Sequence, residues 1–278
     1  MKKLFALLLC LLTSVMLLAS CGGDGELKSP EALCETAFEN TADLDAYELD
    51  MSISMTVSMD MEGTSMTQSI PMNIKLSAKD LKSETPKISM DISMEMEGEE
   101  FSATAYIEGD WMYMTSDGES YKVSTNAMEE MGGMTDYSKQ FEDLLVDLPE
   151  AIYEGVSATK NSDGSKTVAL SLSAEQFEAI YAELAASLGE SMGLLGEGTD
   201  VTFKPATLSV TVKDNLVSKY DMDFSFDIAM DMDGDSTTTE DAMSMTMSVS
   251  YDIDVKKTSG VTVTPPEGYE SFEEIPMY

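Results

Sequence analysis

Residues 51–61 read Met51-Ser52-Ile53-Ser54-Met55-Thr56-Val57-Ser58-Met59-Asp60-Met61. Every odd position is apolar and every even position is Ser, Thr or Asp. Successive side chains of a β-strand point to opposite faces, so this is a long strand with one greasy and one wet face. The same phase continues outward from it. After a turn at Glu62-Gly63, Met66, Ile70, Met72, Ile74, Leu76 and Ala78 form a second strand. Ile88, Met90, Ile92, Met94 and Met96 form a third, and residues 100–108 a fourth after Gly98. Shorter strands over Trp111–Ser116 and Glu119–Ser124 meet across Asp117-Gly118, a hairpin signal.

The pattern returns near the C-terminus. Phe203–Val212 reads as one strand, turning at Asp214-Asn215 into Tyr220, Met222, Phe224, Phe226, Ile228, Met230 and Met232. Met243, Met245, Met247, Val249, Tyr251, Ile253 and Val255 form the last, and the tail with Pro265-Pro266 is expected to be irregular. Helical signals lie elsewhere. Ser29-Pro30-Glu31 caps a helix over 30–43. Tyr137, Phe141, Leu144, Leu145, Leu148 and Ile152 recur at helical spacing, with Pro149 expected to kink or end the helix. A small hairpin turns at Asp163-Gly164. Ser173-Ala174-Glu175-Gln176 is a capping box for a helix carrying Phe177, Ile180, Tyr181, Leu184 and Leu188. No strand–helix–strand alternation is present, so the expected class is α+β with an antiparallel sheet.

Strands of sixteen residues are about 54 Å long when flat and must therefore twist and coil. Helices of 12–17 residues reach only about 18–25 Å. They cover part of such an apolar face, and the remainder either closes on itself or lines a hydrophobic cavity. Of the 24 methionines, 22 follow residue 20, mostly on the apolar strand face. Methionine suits irregular or variable apolar partners, and equally serves as core filler.

Composition removes whole classes of chemistry. The 278 residues carry 52 acids and 16 Lys, with no Arg or His, for a net charge of −36. Such a chain repels nucleic acid. It lacks imidazole for a Ser-His-Asp or Cys-His site and guanidinium for a bidentate clamp. The expectation is a non-enzymatic protein, and no motif implies a cofactor.

Residues 1–20 read as a targeting segment: Lys2 and Lys3, then the apolar run Leu4–Leu18. Leu18-Ala19-Ser20-Cys21 resembles the bacterial lipobox, whose Cys is acylated and becomes the mature N-terminus. An uncleaved anchor helix is the alternative, although the run is short of the roughly 20 residues that span a bilayer. Residues 21–28 form a Gly-rich tether and 29–278 a single domain. Residues 21–278 carry a net charge of −38, so attachment to the cell membrane, on its extracytoplasmic face, rests on the lipid at Cys21. Cys34 is then left alone on an apolar helix face, where a buried inert thiol is expected.

The segments Tyr106-Ile107-Glu108-Gly109-Asp110-Trp111-Met112-Tyr113, Gly118–Val123 and Phe203–Tyr220 are similar in loose pattern to strand pairs of the LolA/LppX/LprG-like bacterial lipoproteins. The similarity covers most of residues 30–257 and implies an uncharacterised member of Gram-positive type. It implies a large curved antiparallel sheet, a half-barrel, with two or three helices on the concave face, and lipid or acyl-chain carriage. The Met-rich strands depart from the usual Leu/Val/Phe lining.

The candidate lining of a hydrophobic-ligand site is the apolar strand phase plus two helices: Met51, Ile53, Met55, Val57, Met72, Ile74, Ile88, Met90 and Ile92 from the early strands. Phe141, Leu145, Phe177 and Tyr181 come from helices, and Met222, Phe224, Phe226, Ile228, Met245, Met247 and Val249 from the late strands. The partner is then a lipid or other apolar molecule. The alternatives are a cell-envelope scaffold with a closed core, and Cu(I) or oxidant buffering by thioethers, with Met128, Met131 and Met134 as a soft-ligand candidate. Asp231, Asp233 and Glu240 resemble part of a calcium loop, but Ala229 stands where its first Asp belongs, and a solvated turn is the simpler reading.

Overall fold

The structure is a computed structural model that describes residues 29–61, 64–96, 98–116, 118–125, 150–188, 199–231 and 242–275. The expected helix over 30–43 is α1, Pro30–Ala42. The Ser29 hydroxyl accepts a hydrogen bond from the Ala32 N–H at 3.1 Å, and Pro30 occupies the first turn, where its missing donor costs nothing. Four antiparallel strands follow: β1 (Ala46–Met61), β2 (Thr64–Lys79), β3 (Lys87–Met96) and β4 (Glu99–Glu108). Then come β5 (Trp111–Ser116) and β6 (Glu119–Ser124).

After a 3₁₀ turn at Glu150–Tyr153, β7 (Thr159–Lys160) and β8 (Lys166–Leu172) make the small hairpin. The helix α2 (Ala174–Leu188) starts with a reciprocal capping box: Ser173 N–H donates to Gln176 Oε1 at 2.8 Å, and Gln176 N–H to Ser173 Oγ at 3.2 Å. The chain ends with β9 (Thr199–Phe203), β10 (Ala206–Lys213), β11 (Leu216–Asp231), β12 (Ala242–Lys257) and β13 (Glu273–Glu274).

These strands form one open, curled sheet in the order β13-β6-β5-β4-β3-β2-β1-β12-β11-β10-β8-β7. Every pairing is antiparallel apart from β13 against β6. The first long strand meets the last in the middle of the sheet, β1 on β12, with Met51 opposite Ile253 and Val57 opposite Met247. The expected α+β half-barrel architecture is what the chain adopts, with both helices on the apolar face.

One expectation needs correction. The strand read over Phe203–Val212 is two segments, β9 and β10, on the same edge of β11. Phe203 pairs Phe226 and Thr207 pairs Asp223, so residues 204–206 face only residues 224–225. Pro205 has no N–H for a regular ladder, and the chain bulges there while Lys204 N–H still reaches the Ser225 carbonyl at 3.0 Å. The helix expected from Tyr137 to Leu148 lies outside the described residues, and beyond Pro149, its expected kink or end, Ile152 sits in the 3₁₀ turn. The tail is irregular over 258–268, as expected, and then ends in a short pairing that the sequence does not announce: β13 pairs β6, and Ile275 N–H donates to the Lys122 carbonyl at 3.0 Å.

What pins the tail is an aromatic group on the outer face. Tyr269 packs edge-on against Tyr106 and Tyr113, with ring centroids at 5.4 and 4.9 Å. The Tyr106 and Tyr269 hydroxyls both donate to Glu108 Oε2, at 3.0 and 3.3 Å, while Lys87 Nζ lies 2.7 Å from Glu108 Oε1. An otherwise unpaired sheet edge is thereby covered.

Candidate functional site

The register joins the apolar phases of distant strands into one surface. A single row runs Leu170–Leu208–Met222–Tyr251–Ile53–Met72–Met94–Phe101, crossing β8, β10, β11, β12, β1, β2, β3 and β4. At the usual strand spacing it is about 34 Å across. Ser, Thr, Asn and Asp alternate with these residues on the outer face, where Ser52 bonds Asn73 at 3.0 Å and Ser58 pairs Thr67 at 3.0 Å.

This inner face contains two packed clusters. One, on β1–β5 and β12, includes the expected Met51, Ile53, Met72, Ile74, Ile88, Met90, Ile92 and Val249. The second lies on β8, β10 and β11, under α1 and α2. Phe224 touches both. Leu33, Cys34, Ala37 and Phe38 of α1 are buried there, and the helix is latched to the β10–β11 hairpin: Val217 N–H donates to Thr41 Oγ1 at 2.8 Å and Asn40 Nδ2 to the Asn215 carbonyl at 3.0 Å. Burial pushes the Cys34 thiol up to about 12, with the Glu35 charge adding to it and a hydrogen bond with Tyr153 partly opposing it. The thiol is buried, as expected from its helix face.

From α2, Phe177 and Tyr181 descend onto an aromatic wall. Phe177 lies 5.1 Å from Phe224 and 5.6 Å from Phe203; Tyr181 lies 4.9 Å from Phe203 and 6.3 Å from Phe226. Phe224 in turn stacks on Tyr251 at 6.0 Å. The expected lining residues Phe177, Tyr181, Met222, Phe224, Phe226 and Ile228 are thus brought to one region.

Burial is graded along the strands. On β1, Tyr47, Leu49, Met51 and Ile53 are buried, whereas Met55, Val57 and Met59 are half-buried. Opposite them Met245 and Met247 are half-buried, and Met66, which pairs Met59, is 62% exposed. The apolar face therefore runs past its closed part toward solvent as a methionine-rich rim. Two surface hollows lie elsewhere, one of about 350 Å³ lined by Ser29, Pro30, Leu33, Val156, Ser157, Ala158, Lys160 and Lys166, the other by Asp45, Asp80, Lys82, Ser83 and Thr85. Neither contains an expected lining residue.

Several expected residues lie outside the described residues: Cys21, Met128, Met131, Met134, Phe141, Leu145, Asp233 and Glu240. Asp231 ends β11. Among the described residues, no group of three or more Asp, Glu or Cys side chains is placed to hold a metal.

Sequence reasoning misses four aromatic residues that the site uses. Phe203 reads only as part of a strand, yet it contacts Phe177, Tyr181 and Phe226. Tyr47, Tyr220 and Tyr251 share the apolar strand phase, and that phase is the available signal. Tyr47 is 5% exposed; its hydroxyl has no hydrogen-bond partner among the described residues, and burial pushes its phenol well above the ordinary range. The Tyr220 hydroxyl reaches only the Met222 sulfur, at 3.6 Å, a weak acceptor. Burial raises Tyr251 to about 12.

The sequence profile of DUF6612, a family of unknown function, matches residues 29–256. The chain belongs to this family. The DUF6612 match begins at the cap of α1 and ends within β12, so it spans the whole inner face described above. No curated protein matches the chain. Among solved structures, LprF from Mycobacterium bovis is 10% identical, with a TM-score of 0.42, covering 86% of this chain and 97% of that one. A putative outer membrane lipoprotein-sorting protein domain from Vibrio parahaemolyticus is 9% identical, with a TM-score of 0.20 over 75% of this chain and 83% of that one. Both scores are below the level that establishes a shared fold, and the topology stands on the strand register.

Proposed function

We propose that this protein is a membrane-anchored, extracytoplasmic lipoprotein without catalytic function that holds an apolar ligand, a lipid or acyl chain, against the inner face of its sheet. The anchor is acylated Cys21, followed by the tether of residues 22–28. One observation carries the ligand reading: a continuous apolar face whose burial fades into a half-open rim of Met55, Val57, Met59, Met66, Met245 and Met247. Contiguous apolar surface reaching solvent marks a binding site more often than a finished core. Methionine at the rim adapts to acyl chains of different length and branching.

The acidic outer face and the net charge of −38 on residues 21–278 keep the domain off anionic headgroups, so delivery to the membrane depends on the anchor. The full burial of Leu49, Ile74, Leu76 and Met90 favours a second reading, a scaffold with a filled interior. Native mass spectrometry and organic extraction of protein carrying Cys21→Ser separate the two. Co-purifying apolar molecules, lost in a Met55→Asp/Met247→Asp variant, support the ligand reading. Protein recovered empty, and unable to take up any apolar probe, refutes it. For the anchor, a palmitate analogue should label wild type and not Cys21→Ser; equal labelling would exclude Cys21 as the lipid site.

A further inference from the structure

Among the described residues, tyrosines packed on the two faces of the sheet meet different partners. On the outer face the Tyr106 and Tyr269 hydroxyls both find a carboxylate, Glu108. On the inner face no such acceptor is met. Tyr47 is nine-tenths buried with an unpartnered hydroxyl, and Tyr220 has only a thioether. No nitrogen or oxygen of a described residue accepts from Tyr251. A buried donor left unpaired is costly, whereas a phenylalanine at Tyr47 would fill the same space at no such cost. An oxygen acceptor supplied from outside the protein accounts for the phenol.

The charge of that acceptor is also constrained. Among the described residues no charged side chain is buried, and apart from tyrosine hydroxyls and the Cys34 thiol the buried polar side chain is Ser165. The row positions of the inner face hold no Lys from Tyr47 to Met59, Met66 to Ala78 or Ile88 to Met94, and the chain has no Arg or His. A carboxylate or phosphate drawn into this interior would be desolvated without a counter-ion. A carbonyl oxygen accepts from a phenol without that penalty.

Resting on the ligand reading above, we infer that the inner face takes an uncharged ligand bearing a carbonyl oxygen, of the acyl-ester class, and that Tyr47 is the residue that selects it by donating a hydrogen bond to that oxygen. Tyr220 and Tyr251, on adjacent strands and diagonal in register, offer further donors to a ligand with more than one ester. Ligands of pure hydrocarbon and ligands that carry a negative charge inside the apolar region are both disfavoured.

Three probes of one chain length separate these terms: methyl oleate, 1-octadecene and oleate at pH 8, each competing with Nile red on Cys21→Ser protein. Methyl oleate should bind about three- to ten-fold more tightly than 1-octadecene, the span expected of one neutral hydrogen bond, and oleate more weakly than the ester. In Tyr47→Phe the ester advantage should vanish while 1-octadecene affinity is unchanged. That variant should melt no lower than wild type when empty, because it loses an unpaired hydroxyl rather than a bond. Tyr106→Phe, on the outer face, should leave the ratio intact. If none of the probes binds, the ligand reading itself fails. If all bind but Tyr47→Phe keeps the ester advantage, or oleate binds as tightly as the ester, the ligand reading stands and this inference is overturned.

Discussion

Replacing Phe177 by alanine tests how α2 is held to the sheet. Phe177 is 3% exposed and lies against Phe224, Phe203 and Tyr181, at 5.1, 5.6 and 6.4 Å between centroids. Removing a buried phenylalanine typically costs about 3–5 kcal/mol, part transfer and part cavity. Aromatic pairs add about 0.5–1.5 kcal/mol beyond area, and the ring planes of Phe177 and Phe203 cross at 78°, an edge-to-face geometry. The variant should therefore lose about 3–5 kcal/mol in urea unfolding, with a lower midpoint. Far-UV circular dichroism follows the whole sheet, while the single tryptophan, Trp111, reports from β5, several strands away. Both signals should shift together if the domain unfolds as one unit. A double-mutant cycle with Phe203→Ala should give a coupling of about 0.5–1.5 kcal/mol. A loss under about 1 kcal/mol, or a coupling indistinguishable from zero, would show that the helix is not clasped through this wall.

Three further outcomes are expected. Cys34, 1% exposed and raised to about 12, should resist a thiol reagent at pH 8 in folded Cys21→Ser protein lacking residues 1–20, and react on unfolding; rapid native labelling would refute its burial. Asp214 and Asn215 adopt φ of 53° and 60°, a left-handed pair matching the twist of the β10–β11 hairpin, so Asn215→Val should cost about 1–2 kcal/mol and Asn215→Gly little or nothing in chemical denaturation. Glu108 is held below its ordinary value, chiefly by its hydrogen bond with Lys87. A lowered carboxylate contributes stability that is present above its unfolded value and lost as pH falls through the folded one. The melting temperatures of wild type and Glu108→Gln should thus differ at pH 7 and converge as pH falls below about 4; a constant gap would remove the carboxylate as its source.

Several features are legible in the amino-acid sequence because their causes are local. Period-two alternation is a property of the extended backbone, so Met51–Met61 and Ile88–Met96 declare both their strands and the side of each residue. Ser29-Pro30 and Ser173–Gln176 announce helix starts because a cap satisfies donors within one turn. The absence of His and Arg excludes chemistry regardless of fold. Other features depend on partners far along the chain. Only the folded register sets Ile53 beside Tyr251 and so fuses separate strand faces into one wall. Pro205 is visible in the sequence, but whether it ends a strand or bulges within an edge depends on what β11 offers opposite it. The short pairing that ends the tail goes unannounced because its order comes from Tyr106, Tyr113 and Glu108, more than 150 residues earlier, and not from its own pattern. The same holds for the phenols: composition counts tyrosines, yet whether a hydroxyl meets a carboxylate or faces grease is decided by which side of the sheet it occupies and what the fold brings within 3 Å of it.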